Sequence, residues 1–434
     1  MKKKVWRLFL LLVVGLTLIW PSRETICAEE NGAASAETNE QKTVKTAPVD
    51  LAPSARAAIL MDMDTGTVLY EKNADLPLPP ASITKIMSLL VVMEALESGN
   101  ISLDDQVVTS ERAASMGGSQ IFLKVGETMT VRDLLKAAAI ASANDATVAL
   151  AEYTYGSEEA FVERMNQRAK ELEMRHTHFV NTTGLPAEGH LTSARDIAIM
   201  SRELLKHESI LEYTGTYQDY LRQDTDKPFW LVNTNRLVRF YRGMDGLKTG
   251  YTSDARFGLS ATAKRDELRL IAVVLGEPDT KTRNREVTAM LDWGFAHYTN
   301  IVIYEKDAPF TWVKVDGGKD AYVRLITGKK ASVLVEKGTQ IEAPQEDLIL
   351  PDNLHAPLTK GTEAGKLIVS VAGKTVEIPL MIEADVPKAD LGTVMKRTLH
   401  RAIFFEEEKP PQVEPEHAPD VHDEQDKPIK QDPS

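Results

Sequence analysis

Hydrophobic and polar positions change period several times along this chain, and the changes mark out its elements. The stretch "ARAAILMDMDTGTVLYEKN" (residues 55–73) reads as two strands around Asp64-Thr65-Gly66, a hairpin signal. Pro79 and Pro80 stop that pattern. A nearly unbroken apolar run then predicts a helix from about Ser82 to Glu97, closed by Gly99-Asn100. Residues 130–152 read as another helix, with Thr130-Val131-Arg132-Asp133 resembling a capping box that has Asp in place of Glu. Amphipathic helices follow in "SEEAFVERMNQRAKELEM" and "TSARDIAIMSRELLKH". "LRLIAVVLG" (Leu268 to Gly276) is continuous and β-branched, the mark of a central strand, and "REVTAMLDWGFAHY" closes the region as a helix.

After about Thr299 the texture changes to short β-runs joined by Gly-containing turns, which predicts a small all-β domain over 300–385. Beyond it, Val394, Met395, Leu399, Ile403 and Phe404 recur at helical spacing among Lys396, Arg397, His400 and Arg401. Residues 386–405 thus read as an amphipathic helix suited to a membrane surface, with packing on the β-domain as the alternative. Residues 406–434 are acidic, Pro-rich and poor in apolar side chains, the composition of a disordered tail. At the other end, a basic start (Met1 to Arg7) precedes an apolar run from Leu8 to Trp20. That run is short against the about 20 residues a spanning helix needs, so residues 1–28 read as a signal peptide cleaved after Ala28. Residues 29–50 are a polar linker, and 51–299 a catalytic-sized domain.

Composition adds limits rather than a function. The 434 residues allow two or three domains, and 43% hydrophobic with 26% charged content is ordinary for a folded chain. A net charge of −13 and the absence of a basic groove pattern argue against nucleic acid as a partner. Cleavage after Ala28 would remove Cys27, the one cysteine, and with it disulfides, zinc thiolates and a cysteine nucleophile. No cofactor is expected, and no metal: His176 and His178 lack a third ligand at a persuasive spacing.

The chemistry begins at Ser82-Ile83-Thr84-Lys85. A serine hydroxyl needs a base, and a lysine serves only if burial or a neighbouring cation keeps its amine neutral. Positions i and i+3 share a helix face, so the two side chains can touch. Such a pair arises by chance about once or twice in a chain of average composition. Two further motifs change its weight: Ser142-Ala143-Asn144, and Lys248-Thr249-Gly250, the sole K-T-G here. Ser-x-x-Lys, S-x-N and K-T-G in this order are the signature of penicillin-binding proteins and class A β-lactamases. Ser98-Gly99-Asn100 also fits S-x-N, but it falls where the first helix should stop.

With "FVNTTGLPAEGHLTSARDIAIM" and "LRLIAVVLGEPDTKTRNRE", these motifs resemble the serine D-alanyl-D-alanine carboxypeptidase family of low-molecular-mass penicillin-binding proteins. The resemblance implies an α/β (α+β) penicillin-binding/β-lactamase-like transpeptidase fold, an antiparallel sheet flanked by helices with a second small all-β domain. It implies Ser82 as nucleophile, Lys85 as its base and Ser142 as proton relay. Asn144, Lys248, Thr249 and Arg283 would bind substrate, and the backbone N–H groups of Ser82 and Tyr251 would form the oxyanion hole. The implied partners are peptidoglycan stem peptides, β-lactam antibiotics as covalent inhibitors, and the membrane surface. The implied location is extracytoplasmic, at the outer face of the cytoplasmic membrane or the cell wall. His190 is expected to be structural. One departure stands out: where the family has Ala-Gly and an aromatic after K-T-G, this chain has Ala255-Arg256-Phe257, with Arg256 at the rim.

Two other functions fit the same motifs. A β-lactamase needs a glutamate to activate the deacylating water, and Glu163-Arg-Met-Asn166 offers only a superficial match inside an amphipathic helix. A non-catalytic wall-binding protein would keep the fold without needing the complete set of polar residues.

Overall fold

The computed structural model describes residues 49–351 and 354–404. The expected signal peptide, nearly all of the linker and the acidic tail lie outside them. The first hairpin forms as its pattern predicts, from β1 (Ala57–Asp62) and β2 (Val68–Lys72). Three later strands join it: β3 (Met244–Thr252), β4 (Arg256–Arg265) and β5 (Leu268–Glu277). The order is β2-β1-β5-β4-β3, every neighbouring pair antiparallel. β5 is thus central, as a β-branched run buried on both faces should be.

Alternation divides β5 between two cores. Ile271, Val273 and Leu275 face a helical cluster, while Leu270, Ala272 and Val274 face the long helix that follows. The cluster contains α1 (Lys85–Glu97), α2 (Val131–Ile140), α3 (Asn144–Tyr155), α4 (Glu158–Glu171) and α5 (Ala194–Leu204). The other face is covered by α6 (Thr280–His297). Its Gly294 lets helix and sheet approach closely: a Cβ there would meet Leu270 Cδ1 at 2.6 Å.

α1 is the core helix. Every residue from Lys85 to Met93 is buried, so no polar face exists for its first-turn lysine to reach. Ser98 follows its last turn and Gly99 adopts φ +73°, so Ser98-Gly99-Asn100 is the helix stop expected. Two expectations need correction. The α-helix begins at Lys85, and Ser82 lies on a preceding 3-10 turn, Ala81–Thr84. The single helix read over 130–152 is two, broken at Ser142, whose φ of +63° cannot continue a right-handed helix. Thr130 does cap the first of them, accepting from Asp133 N at 3.1 Å.

Beyond α6 the chain builds β-structure. Tyr298–Tyr304 pairs with Ala331–Glu336, and a six-stranded sheet packs around Val323, Leu325, Leu367, Val369, Ile378 and Leu380. Polar groups join it to the first hairpin: buried Asn300 Nδ2 donates to Asp62 at 2.8 Å, and half-buried Lys330 pairs with Asp64 at 3.0 Å. The last described helix, α7 (Leu391–Phe404), exposes Leu391, Met395, Leu399 and Ile403. Arg397 ties it back by donating to the Gly318 and Lys319 carbonyls.

Candidate active site

Ser82 and Lys85 are three residues apart on a turn whose i and i+3 side chains eclipse. Lys85 Nζ accordingly lies 3.2 Å from Ser82 Oγ. The same nitrogen contacts Asn144 Oδ1 at 2.6 Å and the Thr183 carbonyl at 2.9 Å. Burial on α1 and the nearby Lys248 charge push the Lys85 ammonium well below its ordinary 10.5, with Asp145 partly opposing them. A neutral amine has two N–H bonds and one lone pair. The two carbonyl oxygens can only accept, so they take both N–H groups and leave the lone pair for the Ser82 hydroxyl.

Each acceptor is held by its own local structure. Asn144 donates through Nδ2 to the Gly117 carbonyl at 2.6 Å, which fixes the amide with its oxygen toward Lys85. Neighbouring Asp145 accepts from Ile121 N and Leu123 N and so pins the loop above. Around Thr183, the Asn181 side chain accepts from Gly184 N at 2.7 Å and donates to the Leu185 carbonyl at 2.9 Å. Ser88 of α1 donates to the Thr182 carbonyl at 2.6 Å, anchoring this loop to the helix that carries Lys85. Gly184 lies against the turn so closely that a Cβ would stand 1.8 Å from the Ala81 carbonyl oxygen. Ala81 itself is held at φ +50° immediately before Ser82.

Ser142 is buried on the α2–α3 break, two residues before Asn144. From the opposite side, β3 brings Lys248, Thr249 and Gly250. A Cβ on Gly250 would meet the Pro80 carbonyl at 2.7 Å and Ile83 Cγ1 at 3.1 Å, so glycine is what lets the strand lie against the nucleophile's turn. Lys248 is buried, donates to the Thr249 carbonyl at 3.1 Å, and is pushed down to about 7 by burial and the charge of Arg283. Thr249 Oγ1 donates to Thr234 Oγ1 at 2.8 Å. Arg283, in the first turns of α6, is 5% exposed and lowered to about 10 by burial. A surface arginine would be far more exposed. Tyr251 and Phe257 stack across the β3–β4 hairpin at 4.3 Å, with Tyr251 exposed. Arg256 follows the hairpin turn, exposed and at φ +56°.

His190 sits behind the site. Val180 N donates to its Nδ1 at 3.1 Å, so the proton resides on Nε2, which donates to Thr84 Oγ1 at 2.8 Å. Burial lowers it to about 4, and it stays neutral. Glu163 is exposed on α4, while Asn166 bonds the backbone of Val162 and Phe179. Among the described residues no cluster of three His, Cys, Asp or Glu side chains converges as a metal site requires. Sequence reasoning missed Thr183, Thr234 and the Gly117 carbonyl. "NTTG" carried a signal for the first, since Asn before Gly at this spacing organises a turn.

The arrangement has documented counterparts. A family model described as D-alanyl-D-alanine carboxypeptidase matches residues 41–279, and the model for the C-terminal domain of penicillin-binding protein 5 matches residues 298–388. D-alanyl-D-alanine carboxypeptidase DacF of Bacillus subtilis is 51% identical over 81% of this chain and 90% of its own length. The crystal structure of penicillin-binding protein 5 from Haemophilus influenzae superposes with a TM-score of 0.61 at 31% identity, covering 77% of this chain and 98% of that one. Penicillin-binding protein D2 of Listeria monocytogenes, solved in its ampicillin-bound form, is 32% identical with a TM-score of 0.50, covering 56% of this chain and 98% of its own.

Proposed function

The chain belongs to the D-alanyl-D-alanine carboxypeptidase family, and from that premise we propose that it removes the terminal D-alanine of peptidoglycan pentapeptide stems through an acyl-enzyme on Ser82. The observation that carries the mechanism is the Lys85 amine, both of whose N–H groups are committed to Asn144 and Thr183 while its lone pair faces Ser82. Ser82 gives its proton to Lys85 and attacks the carbonyl between the two D-alanines. The oxyanion forms beside the backbone N–H groups of Ser82 and Tyr251. Ser142 passes a proton to the departing amine, and the D-alanine carboxylate is held by Lys248, Thr249 and Arg283. Water then hydrolyses the ester.

A carboxylate arriving beside Lys248 favours its charged form, so substrate binding itself completes the positive pocket. β-Lactams enter by the same acylation. With Glu163 exposed on α4, no carboxylate at that position supports fast deacylation, which favours a carboxypeptidase over a β-lactamase. We further assign residues 51–299 to catalysis and 300–385 to the β-rich domain. The apolar stripe of α7 we assign to a membrane surface, placing the enzyme outside the cytoplasmic membrane after removal of residues 1–28.

Purified protein should release D-alanine from a D-Ala-D-Ala peptide, and Ser82→Ala should abolish release by on the order of 10³-fold or more. Wall binding without D-alanine release by the wild type would establish the non-catalytic alternative instead.

A further inference from the structure

Glu277, at the end of β5, is fully buried, and among the described residues neither carboxyl oxygen receives a hydrogen bond. Strict alternation would put it on the face of Leu275, among the helices of the first core. A bulge prevents this. Phe257 pairs with Glu277 but Leu259 with Val274, so Leu275 and Gly276 together oppose Gly258, and Gly276 takes φ +76°. The extra residue turns Glu277 to the α6 face, where it meets Glu286.

Two carboxyls in contact away from water cannot both ionise, and their partners show which one does. Glu286 accepts from Ser54 N at 3.1 Å and Ala55 N at 3.3 Å and lies 3.4 Å from Arg285, so it is the anion. Among the described residues nothing donates to Glu277, so it carries the proton and turns it toward Glu286. Burial and the Glu286 charge push it up to about 8. The other charges acting on it are Arg283 and Arg285 of α6 and Asp279 at that helix's N-cap, while the stem of Arg56, ahead of β1, covers Gly276. On β4, Phe257 is its register partner. Arg283 feels the Glu277 charge but turns its guanidinium to Asn284 Oδ1, at 2.9 and 3.1 Å.

We propose that Glu277 is a positioning residue for Arg283: protonated, it leaves the guanidinium to the carboxylate pocket beside Lys248, and ionised, it draws the guanidinium away. This rests on the reading that Arg283 binds the substrate carboxylate. The residue thereby limits substrate binding at alkaline pH, acting through Arg283 rather than on the substrate.

The test compares KM and kcat for D-alanine release from a soluble D-Ala-D-Ala peptide between pH 6 and 9.5, in wild type, Glu277→Gln and Glu286→Gln. Lys248 gives all three a rise in KM from about pH 7. Wild type should add a second rise above pH 8, reaching roughly tenfold by pH 9, with kcat changed less than about twofold. Glu277→Gln, whose amide still donates to Glu286, should lack the second rise. Glu286→Gln should move it to lower pH. A thermal arm checks the proton itself. The folded-state value lies above the ordinary 4.5, so the neutral form's contribution is complete below 4.5 and is lost as pH rises through 8. The wild-type melting temperature should therefore fall relative to Glu277→Gln between pH 5 and 8. Superimposable KM profiles, or a melting difference independent of pH, would overturn the proposal while leaving the carboxypeptidase reading intact. A wild type that releases no D-alanine at any pH would overturn both.

Discussion

A lysine ammonium on the first turn of a helix that is buried all round must either meet a carboxylate or lose its proton, because the desolvation cost of an unpaired buried ion is several kcal/mol. Asp145 is the carboxylate whose charge Lys85 feels most, and its oxygens are occupied by Ile121 N and Leu123 N. Lys85 therefore solves the problem by neutrality, and its capacity to act as a base is a consequence of where α1 lies. Asn144→Ala should then reduce acylation by about 10²-fold, because the amine regains the freedom to turn its lone pair from Ser82; penicillin-labelling rates would measure it. Gly184→Ala places a methyl group on the Ala81 carbonyl and must shift the nucleophile's turn. Its acylation should fall at least as far, with a lower melting temperature, and unchanged rates would mean that the turn's position is not critical. Ser82, Lys85, Ser142, Asn144 and Lys248 stood out as candidates in the sequence because their types and order are specific. Thr183 did not, because it acts through a carbonyl whose direction depends on Asn181 and on packing against α1. The αL conformation of Ala81 left no sequence signal either, since alanine rarely adopts it.

At the scale of elements, period and punctuation located most of the chain, including the hairpin at Asp64, the cap at Thr130 and central β5. The errors fell at the site. A 3-10 turn and an α-helix share the same apolar run, and the packing of Gly184 on Ala81 and Thr84 and of Gly250 on Pro80 and Ile83 holds the turn apart from the helix. The break at Ser142 was hidden because alanines flank it and favour continued helix; its left-handed backbone costs roughly 1–3 kcal/mol, a cost the surrounding fold must offset. Both departures from regular helix fall at candidate catalytic side chains, Ser82 and Ser142. α1 supplies the rigidity behind them. Leu90→Ala, at a site with no exposed surface, should destabilise the protein by about 2–5 kcal/mol in urea unfolding. A loss under ~1 kcal/mol would show that the cluster around α1 repacks freely.

One sheet lies between two dissimilar layers, the helices beside Ser82 on one side and α6 carrying Arg283 on the other. Lys248, on edge strand β3, feels the Arg283 charge and in turn acts on Lys85. The joint to the β-rich region is polar: Asp62 accepts from Thr65 and Asn300, and Asp64 pairs with Lys330. No sequence pattern announced it, because the partners lie hundreds of residues apart. Among the described residues no helix is long and apolar enough to cross a membrane. Surface attachment through α7 is what its exposed Leu391, Met395, Leu399 and Ile403 allow. Deleting residues 391–434 should move the protein from the membrane to the soluble fraction without changing D-alanine release from a soluble peptide. Undiminished membrane association of the truncated protein would count against that assignment.

The neutrality of Lys85 at the working pH underlies acylation of Ser82. It is tested most directly by the single-turnover rate of Ser82 acylation by a saturating β-lactam, followed by mass shift from pH 5 to 10. A lysine lowered well below 10.5 predicts a rate that levels off well before pH 10, and its loss in Lys85→Arg. A rate still climbing tenfold per pH unit between 8 and 10 would mean an ordinary ammonium at Lys85 and would contradict the account.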